Sequence, residues 1–371
     1  MTLTLRNFQA IGFDGPATEL HVGDDGRLVA EAPAEARRVD CGGAYLSPGW
    51  CDLHVHVWHG GTDISVRPQE AGRATGVTAM ADAGSAGEAT FHGLREYVID
   101  PGRETIRAFL NIGSIGLVAC NRVSELIDMR SIDVDRTLAV IEANRDVICG
   151  VKVRASGVIV GSWGITPARI AKRVAEIAGL PLMVHVGEPP PVIDEVFDIL
   201  TEGDVVTHCF NGKRAGSIAD TEALWAQAKR LAAGGIRLDV GHGQASFDFD
   251  VARRAIADGL TPFSVSTDLH LRNICGPVHD MATTMSKLLA VGLDLDECIA
   301  AVTRRPRSVL GLGAIDGLSP GARADFTIFD VVSGSEEAQD SQGARLVLDR
   351  LVEPRMTLIG ADLLEASRRR A

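Results

Sequence analysis

The chain has 371 residues, 46% of them apolar, and a formal net charge of −12. That length allows one large barrel with a smaller appendage, and that apolar content excludes wholesale disorder. The acidic balance argues against a nucleic-acid or anionic-membrane partner, each of which needs a basic face, and still permits a small anionic substrate at a locally positive site.

The N-terminal MTLTLRNFQAIGFDG lacks the charged segment and apolar block of a signal peptide. Residues 1–48 read as short strands broken by turns: Thr2–Phe8, His21–Val22 and Leu28–Glu31, closed by GGAYLSP at Gly42–Pro48. From Gly49 to about Leu312, short apolar runs alternate with helical stretches. Eight strands are predicted there: Trp50–His56, Val77–Ala83, Ile106–Ile112, Ile148–Val153, Leu182–Val186, Val205–Cys209, Ile236–Val240 and Phe263–Thr267. Between the fourth and fifth, Thr166 is the expected N-cap and Pro167 the first helical residue. Ile170, Val174 and Ile177 follow at helical spacing, and Gly179 stops the helix.

Strand, helix, strand in that order implies parallel strands with right-handed crossovers, and eight is the number that closes a TIM barrel. The predicted fold is α/β: a (β/α)8 TIM barrel over residues 49–314, with a small β-sandwich built from both chain ends, 1–48 and 315–371. The polar stretch Ser333–Gln342 reads as a loose loop. Ser367–Ala371 reads as a frayed end with solvated arginines. No run is apolar and long enough to span a bilayer. The seven cysteines are scattered without a CxxC pair, which speaks against a disulfide framework or zinc ribbon and fits a reducing cytoplasm.

The chemistry starts at Asp52-Leu53-His54-Val55-His56. Side chains alternate along a strand, so His54 and His56 point the same way and offer half of a metal site; the alternative is a pair of histidines in a polar loop. The other predicted strands end in Lys152 (GVKVR), His185 (LMVHVG), His208 (VVTHCF) and Asp268 (SVSTDLH). In a TIM barrel these C-terminal ends form the active-site face. Four imidazoles, one amine and one carboxylate on one rim are hard to explain as separate core residues. A buried, unpaired Lys152 favours the neutral amine, which reacts with carbon dioxide to give a carbamate, in effect a carboxylate on a long stem. The alternative is a lysine salt-bridged to an acid at the rim.

Other polar residues leave two readings each. Arg154 faces the side of Lys152 and either clasps a substrate carboxylate or makes a rim salt bridge. His242, after the seventh strand, either contacts substrate or stabilises its loop. Asn211 either hydrogen-bonds substrate or forms a turn. His270 is a supporting or loop residue, and Trp58 and His59 are candidates for the pocket wall. His21, His92 and His279 read as structural or surface residues. Cys209 should face away from the site.

The set PGWCDLHVH, GVKVR, LMVHVGE, VVTHCFNG and VSTDLH resembles the amidohydrolase superfamily in its binuclear, carboxylated-lysine subtype. The resemblance implies two divalent metal ions, with zinc the best match to the ligands. His54 and His56 would bind the more buried ion, and His185 and His208 the more exposed one. N6-carboxylated Lys152 would bridge both, and Asp268 would complete the first site and move protons. GxKxR followed by HCFNG is similar to the dihydroorotase-related deacetylase branch. That implies hydrolysis of an acetyl ester or amide of a small carboxylic acid, such as an acetylated (R)-2-hydroxy acid, and permits a homo-oligomer. The alternatives are a cyclic amidase of the dihydroorotase or hydantoinase kind and a D-aminoacylase-like enzyme. A non-catalytic scaffold would lack ligands that are all present here.

Overall fold

The computed structural model describes residues 2–120, 122–313, 315 and 318–369. The N-terminal segment supplies β1 (Leu3–Arg6), β2 (Gln9–Ala10), β3 (Glu19–Val22), β4 (Leu28–Val29), β5 (Arg37–Asp40) and β6 (Tyr45–Pro48). The central run supplies β7 (Trp50–Val55), β8 (Val77–Gly87), β9 (Thr105–Asn111), β10 (Ile148–Ala155), β11 (Leu182–Val186), β12 (Val205–Thr207) and β13 (Arg237–Leu238). The C-terminal region adds β14 (Asp325–Gln339), β15 (Arg345–Ile359) and β16 (Asp362–Glu365).

The seven central strands form one sheet in chain order from β7 to β13, and every neighbouring pair is parallel. The predicted eighth strand, Phe263–Thr267, is not a regular strand. It meets the two end strands through isolated bridges, Asp239 to Ser264 and Val55 to Leu269. Backbone bonds from Val240 N to Ser264 O and from Asp268 N to His54 O close the ring on both sides. The reason for the irregularity is a buried carboxylate: Asp52 accepts the Thr267 backbone N–H and hydroxyl, so the ladder is replaced there by a side chain. Strand β12 likewise stops one residue before His208, whose φ of 68° takes the chain into the left-handed region.

The helix between β10 and β11 spans Thr166–Ala178. Its N-cap is Ile165, so Thr166 is the first helical residue, one position earlier than expected. Gly179 ends it with φ 65°. Ala168, Ala171, Val174, Ala175 and Ala178 are its buried stripe, whereas Ile177 is exposed.

Both chain ends build the remaining sheets, ordered β4-β3-β1-β5 and β16-β15-β14-β6-β2. Leu3, Leu5, Phe8, Leu46, Phe326, Ile328 and Leu358 share a core separate from that of the barrel. The expected junction at 314 and 315 falls on Ala314, which lies outside the described residues. Two expectations are corrected here. Ser333–Gln342 is mostly strand: β14 runs to Gln339, because its polar residues stay in register with β15, Glu337 opposite Val347 and Gln339 opposite Arg345. The C-terminal arginines are not all solvated. Arg368 is buried between Glu336 and Glu353, and the Arg369 backbone N–H donates to Asp280. Arg370 and Ala371 lie outside the described residues.

Removing the guanidinium leaves two partly shielded acids facing each other, so Arg368→Ala should lower stability by about 1–3 kcal/mol, read from the urea midpoint.

Candidate active site

The C-terminal ends of the barrel strands surround a cavity of about 230 Å3, lined among others by His54, His56, Lys152, Arg154, His185, His208 and Asp268. All six expected ligands therefore meet at one rim. The His54 and His56 rings lie 5.4 Å apart and the His185 and His208 rings 4.4 Å apart. Ligand atoms of His54, His208 and Asp268 fall within 4.8 Å of one another.

The proton on each ring decides what the cavity offers. Thr207 donates its hydroxyl to Asp239 (2.7 Å), so the lone pair it turns to His54 Nδ1 (2.7 Å) must accept. His54 thus carries its proton on Nδ1 and presents a bare Nε2. His208 Nδ1 donates to the Gly241 carbonyl at 2.6 Å, which leaves its buried Nε2 bare and without a partner. Asp268 places Oδ1 3.3 Å from His54 Nε2 and 3.2 Å from His56 Nε2. For His54 that sets one lone pair against another in a largely buried site, an arrangement that a cation between them would make favourable. The donor set therefore fits divalent metal.

Burial, with help from Lys152, holds the His54 imidazolium far from forming, and burial pushes His208 down to about 3. Burial alone would raise the Asp268 carboxyl, but His54, His56 and His208 outweigh it and hold it well below the carboxylate range. Asp268 itself sits at φ 48°, pinned by its N–H to His54 O and by Asn273 Nδ2 on its carbonyl. Lys152 is 1% exposed; among the described residues its one polar contact is His54 Nε2 at 3.5 Å. Burial, resisted by Asp268, brings its amine down to about 7. No salt-bridging acid touches it, which removes the rim-salt-bridge alternative among the described residues.

The expected substrate contacts fare differently. Arg154 lines the cavity, yet its Nε and Nη2 clasp Glu125 at 2.7 and 2.8 Å, so that edge is already committed to a salt bridge. His242 does not line the cavity. Its Nε2 meets Lys287 Nζ at 2.9 Å and its Nδ1 meets Gly243 O, because the loop after β13 turns the ring outward against Phe247. Asn211 is a turn residue: its amide donates to His208 O and Gly216 O and accepts from Lys213 N. Trp58 packs in the core, and His59 lies against a different hollow beside Arg67 and Tyr97. His270 does line the cavity, with Arg272 beside it.

Sequence reasoning missed the groups behind the ligands. Asp52 and Asp239 are buried acids within apolar strands, and that mismatch was the available signal. Thr207 was hidden by its neighbour: it lies beside His208 in the chain and serves His54 across the barrel. Lys213, Glu188, Gln244 and Ser246 also line the cavity.

Fold and donor set together define a class, a barrel hydrolase whose donors at the C-terminal ends of its strands fit a divalent metal. The model of the amidohydrolase family matches residues 45–352, and the chain belongs to that family. It is 56% identical to Deacetylase Atu3266 of Agrobacterium fabrum, over 99% of this chain and 92% of that protein. It is also 56% identical to a deacetylase of Brucella anthropi, over 99% and 93%. A crystal structure of a dihydroorotase superposes with a TM-score of 0.96 at 54% identity, covering 99% of this chain and 100% of that one. The protein is a hydrolytic enzyme. Among its described residues no helix is long and apolar enough to cross a membrane.

Two predictions follow the tautomer argument. Thr207→Val strips His54 Nδ1 of its acceptor, so zinc affinity should fall roughly 10–100-fold in competition with a chromophoric chelator. Burial, opposed by Asp268, holds His270 down at about 4 against 6.5 when unfolded. The unfolded chain then gains a proton between those values that the folded chain refuses, so this ring costs stability as pH falls through 6.5 towards 4. In chelator-treated protein, His270→Gln should flatten the urea midpoint over that window; an unchanged slope means the ring is solvated.

Proposed function

We propose that the enzyme is a deacetylase that cleaves the acetyl ester or amide of a small carboxylic acid, such as an acetylated (R)-2-hydroxy acid. The observation that carries the hydrolytic centre is the bare Nε2 of His54 and of His208 converging with the Asp268 carboxylate. His54 and His56 would hold one divalent ion and His185 and His208 a second, with zinc the preferred metal and N6-carboxylated Lys152 between them. The buried Lys152, without an acid partner, supports that modification. Bound there, the ions would supply Lewis acidity that activates water and polarises the substrate carbonyl.

The remaining steps belong to the chain. Asp268 is a carboxylate at neutral pH, fixed in direction by its pinned backbone. It accepts the proton of the attacking water and passes it to the departing oxygen or nitrogen. An alkoxide leaves with little help, whereas an amide nitrogen must be protonated first. The cavity of about 230 Å3 over these groups is open at the rim, where a small substrate can enter.

The two relatives named deacetylase support this reading. The structural neighbour described as a dihydroorotase favours a second one, a cyclic amidase using the same centre. Free cysteines throughout the chain support a reducing, cytoplasmic setting.

A panel of acetyl-(R)-mandelate, dihydroorotate and a hydantoin separates the two: hydrolysis of the first alone is expected, and turnover of dihydroorotate instead would establish the cyclic amidase. Asp268→Asn should lower kcat by at least about 100-fold, the scale of a lost general base, with the protein still folded; near-normal turnover would remove Asp268 from proton transfer. Chelation should abolish turnover, and zinc with bicarbonate should restore it in the wild type but not in Lys152→Met.

A further inference from the structure

Four lysine and arginine side chains line the cavity: Lys152, Arg154, Lys213 and Arg272. Lys152 lies among the metal ligands, and Arg154 is clasped by Glu125. Arg272 lies by the barrel closure, where its Nη2 meets Cys120 O at 3.3 Å and Asp63 at 3.8 Å. Lys213 stands apart from these, over the ends of β11 and β12. Its ammonium is 14% exposed as a side chain and makes one ion pair, 2.9 Å to Glu188 Oε1. An ammonium has three donors, so two remain for the cavity.

Lys213 Nζ, Ser156 Oγ and His185 Nε2 converge on Gly187. A Cβ on Gly187 would lie 3.4 Å from His185 Nε2, 3.5 Å from Lys213 Nζ and 3.5 Å from Ser156 Oγ. The missing side chain therefore leaves a small polar hollow beside the outer histidine pair. The backbone of Gly187 is not in the left-handed region and a methyl there would meet these atoms at ordinary contact distance, so alanine can be accommodated and serves as a probe of the spot. Gly216 has a complementary role: a Cβ there would overlap the Gly187 carbonyl oxygen, so its absence lets the Lys213 loop fold over the end of β11.

Resting on the proposed hydrolase function, we propose that Lys213, on the cavity wall beside Ser156 and His185, is the subsite for the substrate's carboxylate. The Lys213 ammonium supplies the charge and the donors, and the Ser156 hydroxyl, which now donates to Glu188, is a second donor once that carboxylate leaves, so this corner suits an anionic oxygen. Glu188 holds Lys213 in the free enzyme, supported by Ser156 Oγ at 2.8 Å. Its side chain is 48% exposed, so an incoming carboxylate can take its place while Glu188 turns to solvent. The substrate is then an acid whose carboxylate lies close to the scissile carbonyl, as in an acylated 2-hydroxy or 2-amino acid, and neutral analogues bind poorly.

The test compares acetyl-(R)-mandelate with its carboxyl methyl ester, with metal content measured for each protein. Lys213→Met should raise KM for the acid about tenfold or more, the scale of one charged hydrogen bond, and abolish the preference for acid over ester. Gly187→Ala fills the hollow at ordinary contact distance and should shift KM the same way. Glu188→Gln removes the competing charge and should lower KM for the acid, a sign that a merely structural ion pair does not give. Equal losses on acid and ester in Lys213→Met, or a raised KM in Glu188→Gln, would overturn the assignment. If the wild type leaves acetyl-(R)-mandelate intact, the proposed substrate fails and the subsite is judged by calorimetry with (R)-mandelate. Binding weakened by Lys213→Met and tightened by Glu188→Gln then supports it, and equal affinity in all three proteins overturns it.

Discussion

The hydrogen-bond relay from His54 through Thr207 to Asp239 is the constraint on which the rest of the site depends. It consumes the one proton the His54 ring can carry in its neutral form and leaves lone-pair density facing a carboxylate inside a barrel. Ser264 and Ser266 also donate to Asp239, so the acid at the end of the relay has three hydroxyl donors and no need of a cation. Burial raises the Asp239 carboxyl, and those hydroxyls, with Thr207 among them, work against that. A site arranged this way is poor in protons and rich in acceptors, the condition a divalent ion requires of its ligands.

The same polar chemistry closes the barrel. Asp52 ties the irregular eighth segment to β7, and the Asp268 N–H bonds to the carbonyl of His54. Closure and ligand placement are therefore one event: the segment that completes the ring also delivers Asp268. Burial raises the Asp52 carboxyl to about 7 despite the bonds from Thr267 and His54. This is the cost of putting an acid where a ladder hydrogen bond would ordinarily sit.

Electrostatics divides the cavity wall by function. Arg154 is neutralised by Glu125 deep in the wall and braces the loop after β9 against β10. Lys213 is paired instead with a half-exposed glutamate, the difference on which its proposed role rests. A chain with a net charge of −12 can thus present a positive corner to an anionic substrate.

The sequence by itself determined the parallel barrel and placed six candidate ligands at the ends of its strands. Both are written in local patterns: apolar runs of strand length, and charged or imidazole residues placed at their C-terminal ends. It could not determine the partners of those residues. The outward turn of His242 towards Lys287, the Arg154–Glu125 clasp and the service of Thr207 to His54 join residues 45, 29 and 153 positions apart. The polar strand of residues 333–339 and the burial of Arg368 were likewise invisible, because register with β15 and pairing with Glu336 and Glu353 exist only in three dimensions. Periodicity records which face of an element is apolar; which proton, charge or hollow meets which neighbour is decided when distant strands close into a ring.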